Sequence, residues 1–263
     1  MPSDFRTLLW LLKLGAGVNL YLFVQLSVLA VADPQVVVPG LVLLGVSGFR
    51  CLFPNRYVDN VVFHDSPLSS IFLTRVLATF SEVAYIYQFS YVIRVLNVGE
   101  ASWVNALSWL MVAQVIVSQG FVWGAILTKR LELYFYEELG WLVIFVANTV
   151  ASAFLYAAAP EDGHILLELN LLFGVGYLPW QIFHLRSLRA EIRAEARAES
   201  GTGSGVPVHW RKGLHDAIHQ RKPRTDAKAW GGFIGLTWMV AYWASLIPLW
   251  VHEIAMVISA HPR

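Results

Sequence analysis

An all-α, polytopic membrane fold is predicted for this chain by three observations. Apolar residues make up 57% of it and charged residues only 14%, against about 25% charged in a soluble domain. Seven apolar runs reach the roughly 20 residues a helix needs to cross a bilayer. Lys and Arg are shared unequally between the connecting segments, as the positive-inside rule requires of a spanning chain. The whole chain, 1–263, is therefore read as one seven-helix transmembrane domain.

The spans fall at 8–32, 35–53, 69–96, 102–127, 132–158, 164–185 and 229–259. The first begins in MPSDFRTLLWLLKLG, which lacks a basic start and a small-residue cleavage site, so it is expected to be retained. The second is interrupted by Pro39, Gly40, Gly45 and Gly48. Before the third, Ser66-Pro67 with Ser69 and Ser70 has the composition of a helix cap, and Asp65 can serve the same end. Short turn-like linkers join the spans: Ala-Asp-Pro at 32–34, Asn-Val-Gly-Glu at 97–100 and Pro-Glu-Asp-Gly at 160–163. Pro179 is expected to loosen the sixth span. That span should run on into RSLRAEIRAEARAES, a solvated helix with internal ion pairs, until GTGSG at 201–205 breaks it. WRKGLHDAIHQRKPR then reads as a basic amphipathic helix on anionic headgroups, with Trp210 as anchor.

One side of the membrane collects Arg6, Lys13, Arg50, Arg56, Lys129, Arg130 and ten more Lys and Arg between 186 and 228. The other holds Arg94 and Arg263 beside Asp33, Glu100, Glu161 and Asp162. This places the N-terminus and the 186–228 loop in the cytoplasm and the C-terminus outside.

Ionisable residues inside a span are costly and point to function by default. The third span carries Arg75 and Glu82, seven residues and roughly 10 Å apart on one helical face, with Thr79 between them. On the fifth, Glu137 and Glu138 lie near the cytoplasmic end, and Glu137, Trp141 and Asn148 share a face. On the sixth, Asn170, Tyr177, Gln181 and His184 form a stripe with Glu168 at its outer end. Gln114 and Gln119 mark the fourth, Asn19 the first, and Trp238, Tyr242, Ser245 and His252 the seventh. His64 and Asp65 stand at the start of the third, where an acid–base pair or a headgroup contact would sit.

These residues predict an intramembrane enzyme on a lipophilic, isoprenoid- or lipid-like substrate. Glu82, Glu137 and Asp65 are its candidate acid–base groups. Arg75, His64, Gln119, Glu138, Trp141, Asn170, Tyr177, Gln181, His184, Trp238 and Tyr242 are its candidate substrate contacts. A buried carboxylic acid surrounded by aromatic faces suits isomerisation, hydration or cyclisation. The arrangement is similar in general character to small seven-span terpene cyclases. Each feature also has a plainer reading: Arg75–Glu82 as a structural ion pair, and the amides as interhelical glue. The alternative function is a non-catalytic lipid-, quinone- or pigment-binding subunit, or a small proton-coupled transporter.

Scattered histidines and the lone Cys51 support no metal site or disulfide. The seventh span has no lysine for a retinal Schiff base, and no cofactor is expected. Nucleic acid is not an expected partner. A membrane lipid or lipophilic small molecule is, and 186–228 offers a docking segment for protein.

Overall fold

The computed structural model describes residues 3–28, 33–202 and 209–259 and is predominantly helical. In chain order the helices are α1 (Ser3–Ser27), α2 (Pro34–Leu52), α3 (Ile71–Leu96), α4 (Ser102–Thr128), α5 (Leu131–Tyr156), α6 (His164–Thr202), α7 (Trp210–His219), α8 (Gly232–Met239) and α9 (Ile247–Ser259). A π-helical stretch, Val240–Leu246, joins α8 to α9. Three two-residue strands complete the set: β1 (Asn55–Arg56), β2 (Val61–Val62) and β3 (Lys222–Pro223).

Among the described residues, six segments are long and apolar enough to cross a membrane: Phe5–Ser27, Pro34–Leu52, Ser102–Thr128, Leu131–Tyr156, His164–Ala194 and Val240–Ile258. This is the build of an integral multi-pass membrane protein. The expected third span is absent from this set. At 26 residues α3 is long enough, but Arg75, Glu82, Gln88 and Arg94 lower its apolarity. Many large apolar side chains face outward, among them Val175 at 71% and Leu172 at 69% exposed. So large an apolar surface requires lipid rather than water around it.

The local chemistry of each helix end follows the sequence. Asp33 caps α2 by accepting from the Gln35 N–H at 2.9 Å, with Pro34 in the first turn. Despite Pro39 and its glycines, α2 is continuous. Ser66 caps a 3₁₀ turn at Pro67–Ser69, and Ser70 Oγ accepts from the Leu73 N–H to start α3. Pro179 is carried inside α6 without a break. The expected break at 201–205 falls mainly on residues outside those described.

The chain divides into two compact units, Met1–Tyr85 with His215–Arg263, and Ile86–Leu214, the boundary falling within α3 and α7. In the first unit α1, α2, the π stretch and α9 pack on one another. A Cβ on Gly15 of α1 would lie 2.2 Å from Ala244 Cβ, so only glycine permits this approach. Pro248 explains the π stretch: it cannot donate to the Ala244 carbonyl, and its ring crowds that turn. Asn19, fully buried, donates to the Gly15 and Trp243 carbonyls at 2.8 and 3.0 Å.

A small sheet ties two distant segments of the same unit. β1 pairs antiparallel with β2 in the register Asn55↔Val62, and β2 pairs parallel with β3 in the register Val61↔Lys222. The Arg224 N–H also donates to the Val62 carbonyl at 3.1 Å, Asn60 Nδ2 to Gln220 Oε1 at 3.1 Å, and Arg221 pairs with Asp65 at 3.0 Å. The turn between β1 and β2 places Asp59 and Asn60 at φ 62° and 54°, a conformation those two residue types tolerate. Arg56 Nη1 donates to the Ala229 carbonyl at 3.1 Å. Asp226 caps the 3₁₀ turn Ala227–Trp230. The Ala229 N–H and the Arg224 guanidinium hold its carboxyl below the usual carboxylate range.

In the second unit α5 packs between α4 and α6. Gly140 of α5 lies against Ser118 and Gln114 of α4, and Gly174 of α6 against Thr149 of α5. These are the small-residue contacts by which helices approach closely in lipid. Phe89, Phe145, Phe173 and Tyr177 form the aromatic core, Phe145 and Tyr177 with ring centroids 4.4 Å apart. Near the end of α3, the Arg94 guanidinium lies 4.1 Å from the Trp109 ring and is flanked by Tyr87 and Tyr91.

Candidate functional site: a charged and aromatic centre

The stripe on α3 closes on itself. Arg75 Nη2 and Glu82 Oε2 are 2.7 Å apart, with Arg75 1% and Glu82 13% exposed. Thr79, between them, donates its hydroxyl to the Arg75 carbonyl at 2.9 Å. Two helical turns separate the Cα atoms, so the long arginine must extend along the helix axis to reach the carboxylate. Both partners of this ion pair belong to one helix. Desolvating them costs several kcal/mol per ion.

Around this pair the first unit assembles a wider centre. The Arg75 guanidinium lies 5.7 Å from the Tyr57 ring centroid, and that of Arg50 lies 5.4 Å from it. Arg50 Nη1 donates to Tyr57 Oη at 2.9 Å, and its guanidinium lies 4.7 Å from the Trp243 ring. Tyr242 meets Tyr85 edge-on at 5.8 Å and Trp243 at 4.6 Å. The charges of Glu82, Arg50 and Arg75 all act on the Tyr242 phenol. Asn55, adjoining Tyr57, donates to Thr74 Oγ1 at 2.5 Å and to the Ser69 carbonyl at 3.1 Å, which fixes the loop against the start of α3.

The expected site residues divide between the two units. Glu82, Arg75 and Tyr242 come together in the first. Asp65 and His64 are exposed there and do not pair with each other: Asp65 bonds Arg221, and His64 rests edge-on against Phe63 at 4.6 Å. The side chain of Trp238 lies outside the described residues. Glu137, Glu138, Gln119, Trp141, Asn170, Tyr177, Gln181 and His184 belong to the second unit.

There the α6 stripe forms the seam with α5. Asn170 donates to Asn148 Oδ1 and Ser152 Oγ at 3.4 and 3.1 Å, and Tyr177 packs on Phe145. Gln181 Nε2 reaches both the carbonyl and Oε2 of Glu138 at 2.7 Å, and His184 Nε2 lies 3.5 Å from Glu138 Oε1. Glu137 is buried and Glu138 half-buried, although they are sequence neighbours. Trp141 stacks on Phe145 at 6.3 Å, and Gln119 bonds the Val115 carbonyl of its own helix.

Arg50, Tyr57, Tyr85 and Trp243 are centre residues that sequence reasoning did not select. Arg50 was counted with the cytoplasmic charges that set orientation, and Tyr57 lies in a loop. The signal for Arg50 was its position inside α2 rather than beyond it. Comparison of the chain with protein-family models, curated proteins and solved structures returns no match.

Proposed function

We propose that this chain is an intramembrane enzyme that binds a lipophilic molecule at the Arg75–Glu82–Tyr242 centre and acts on it by acid–base chemistry. The observation that carries this reading is the buried ion pair within one helix. It is retained beside the buried Tyr85 phenol and the half-buried Tyr242 phenol at the cost of desolvating two charges. A carboxylate so placed can accept a proton, and a neighbouring tyrosine can donate one. Glu82 is thus the acceptor and the Tyr242 or Tyr85 phenol the donor, with Arg75 positioning the carboxylate. Proton removal at one carbon and return at another isomerises a double bond without a cofactor.

The same reading has α3 crossing the membrane, with the N-terminus and the 186–228 loop in the cytoplasm and the C-terminus outside. Support comes from parity. β2 and β3 are hydrogen-bonded, so residues 61–62 and 222–223 share one side of the membrane. The chain between them must then cross an even number of times. α4, α5 and α6 supply three crossings, and α3 supplies the fourth.

The test uses solvent hydrogen as the label, since the substrate need not be known. The purified full chain is incubated in D₂O with membrane lipid extract, and the extract is scanned by mass spectrometry. Wild type should add deuterium at carbon to one lipid class. Glu82→Gln should reduce the rate at least a hundredfold at unchanged expression and thermal stability. Undiminished exchange in Glu82→Gln removes the carboxylate from the chemistry.

A further inference from the structure

Arg50 is a second cation at the edge of the centre, and its surroundings are unlike those of Arg75. Among the described residues no carboxylate lies within ion-pair distance of it. Its guanidinium is half-buried, drawn onto the Tyr57 hydroxyl and the Trp243 ring. An arginine near the end of a span that served only as an anchor would reach outward to the headgroups. Arg50 instead turns onto protein groups. Of its five N–H donors, one is taken up by Tyr57 Oη. Tyr57 Oη accepts that bond, which leaves its own hydrogen for another acceptor. One turn earlier on α2, Ser47 is fully buried and its hydroxyl has no hydrogen-bond partner among the described residues.

Two guanidiniums, those of Arg50 and Arg75, lie near the Tyr57 ring. The half-buried Arg50 guanidinium, with unused donors in surroundings largely apolar, is completed most favourably by an anion. Indole and phenol rings line the same place, and α2 carries apolar side chains along the rest of its length.

We infer that Arg50, with the hydroxyls of Tyr57 and Ser47, forms a binding site for the anionic head, carboxylate or phosphate, of an amphiphile with an apolar tail. This rests on the reading of the Glu82 centre as a lipophile site and specifies its ligand: an acidic lipid rather than a neutral one. The head is held at Arg50 and the tail runs past Tyr57 and Trp243. Arg50 and Tyr57 are binding residues here and take no part in proton transfer.

Native mass spectrometry of the full chain released from phosphatidylcholine nanodiscs tests this, with oleate, oleyl alcohol and inorganic phosphate as probes. Wild type should retain one oleate and no oleyl alcohol, and millimolar phosphate should leave the oleate in place. Arg50→Gln should weaken retention at least tenfold, Tyr57→Phe severalfold, and Arg50→Lys little. Equal retention of oleyl alcohol, or unchanged retention in Arg50→Gln, overturns the site. Displacement of oleate by phosphate overturns the amphiphile in favour of a free anion. Should Arg50→Gln fail to fold, Tyr57→Phe and the oleate–oleyl alcohol contrast still decide. Because Glu82 is intact in every variant, a failure here is separate from a failure of the exchange assay.

Discussion

Arg75 and Glu82 are expensive residues to bury, and their energetics can be separated from their use. Removing one partner of a buried pair leaves the other charge uncompensated, which costs about 3–5 kcal/mol, whereas replacing both with apolar groups is often neutral. Arg75→Met alone should therefore lower the thermal midpoint of the detergent-solubilised protein sharply. Arg75→Met with Glu82→Leu should recover most of that loss, while deuterium exchange stays absent in both. Recovery of exchange in the double variant would reduce the pair to a packing device. The Arg75–Glu82 stripe was legible in the sequence because a seven-residue spacing within one helix needs no tertiary information. Arg50 was not, because its meaning depends on Tyr57 and Trp243, which lie 7 and 193 residues further along the chain.

The helices repeat that contrast between local pattern and distant contact. Asn170, Tyr177, Gln181 and His184 lie on one helical stripe, and the structure makes that stripe the seam with α5. Periodicity was sufficient to find it. The three strands left no signal, since two residues carry no alternation, and Lys222-Pro223 reads as loop. The π stretch was equally hidden: Pro248 announces a disturbance, but its form depends on Asn19 and Gly15 of another helix. Close approach in the α5–α6 seam gives a direct test. A Cβ on Gly174 would stand 2.1 Å from Thr149 Oγ1. Gly174→Ala should destabilise by about 1–3 kcal/mol, as overpacking does, measured by thermal unfolding in detergent. The opposing flexible hydroxyl is the obstacle, so Thr149→Ala in the same chain should recover at least half of that cost. Independent, additive losses would show that the two residues do not meet.

At the scale of the whole molecule, the number of crossings turns on α3, a long helix outside the six apolar spans. Hydropathy alone leaves it out because the polar side chains that lower its average are the ones it places inward: Arg75, Ser81, Gln88 and Ser90 are all buried. A spanning helix can be polar on the face that meets protein, provided that the opposite face meets lipid, and α3 carries Phe80 at 63% exposed. The β2–β3 pairing makes the matter one of parity, and parity can be measured. In a Cys51→Ser background, single cysteines replace His64, Val98, Ala158 and Thr225, each of them exposed. A membrane-impermeant maleimide is applied to sealed cells and then to permeabilised ones. Cysteines at 98 and 158 should label from outside, and those at 64 and 225 only after permeabilisation. Labelling of 64 and 98 from the same side would mean that α3 does not cross. Labelling of 64 and 225 from opposite sides would break the sheet that joins their segments. With both comparisons as expected, Arg75 and Glu82 lie on a helix that crosses the bilayer, which the proposed centre requires.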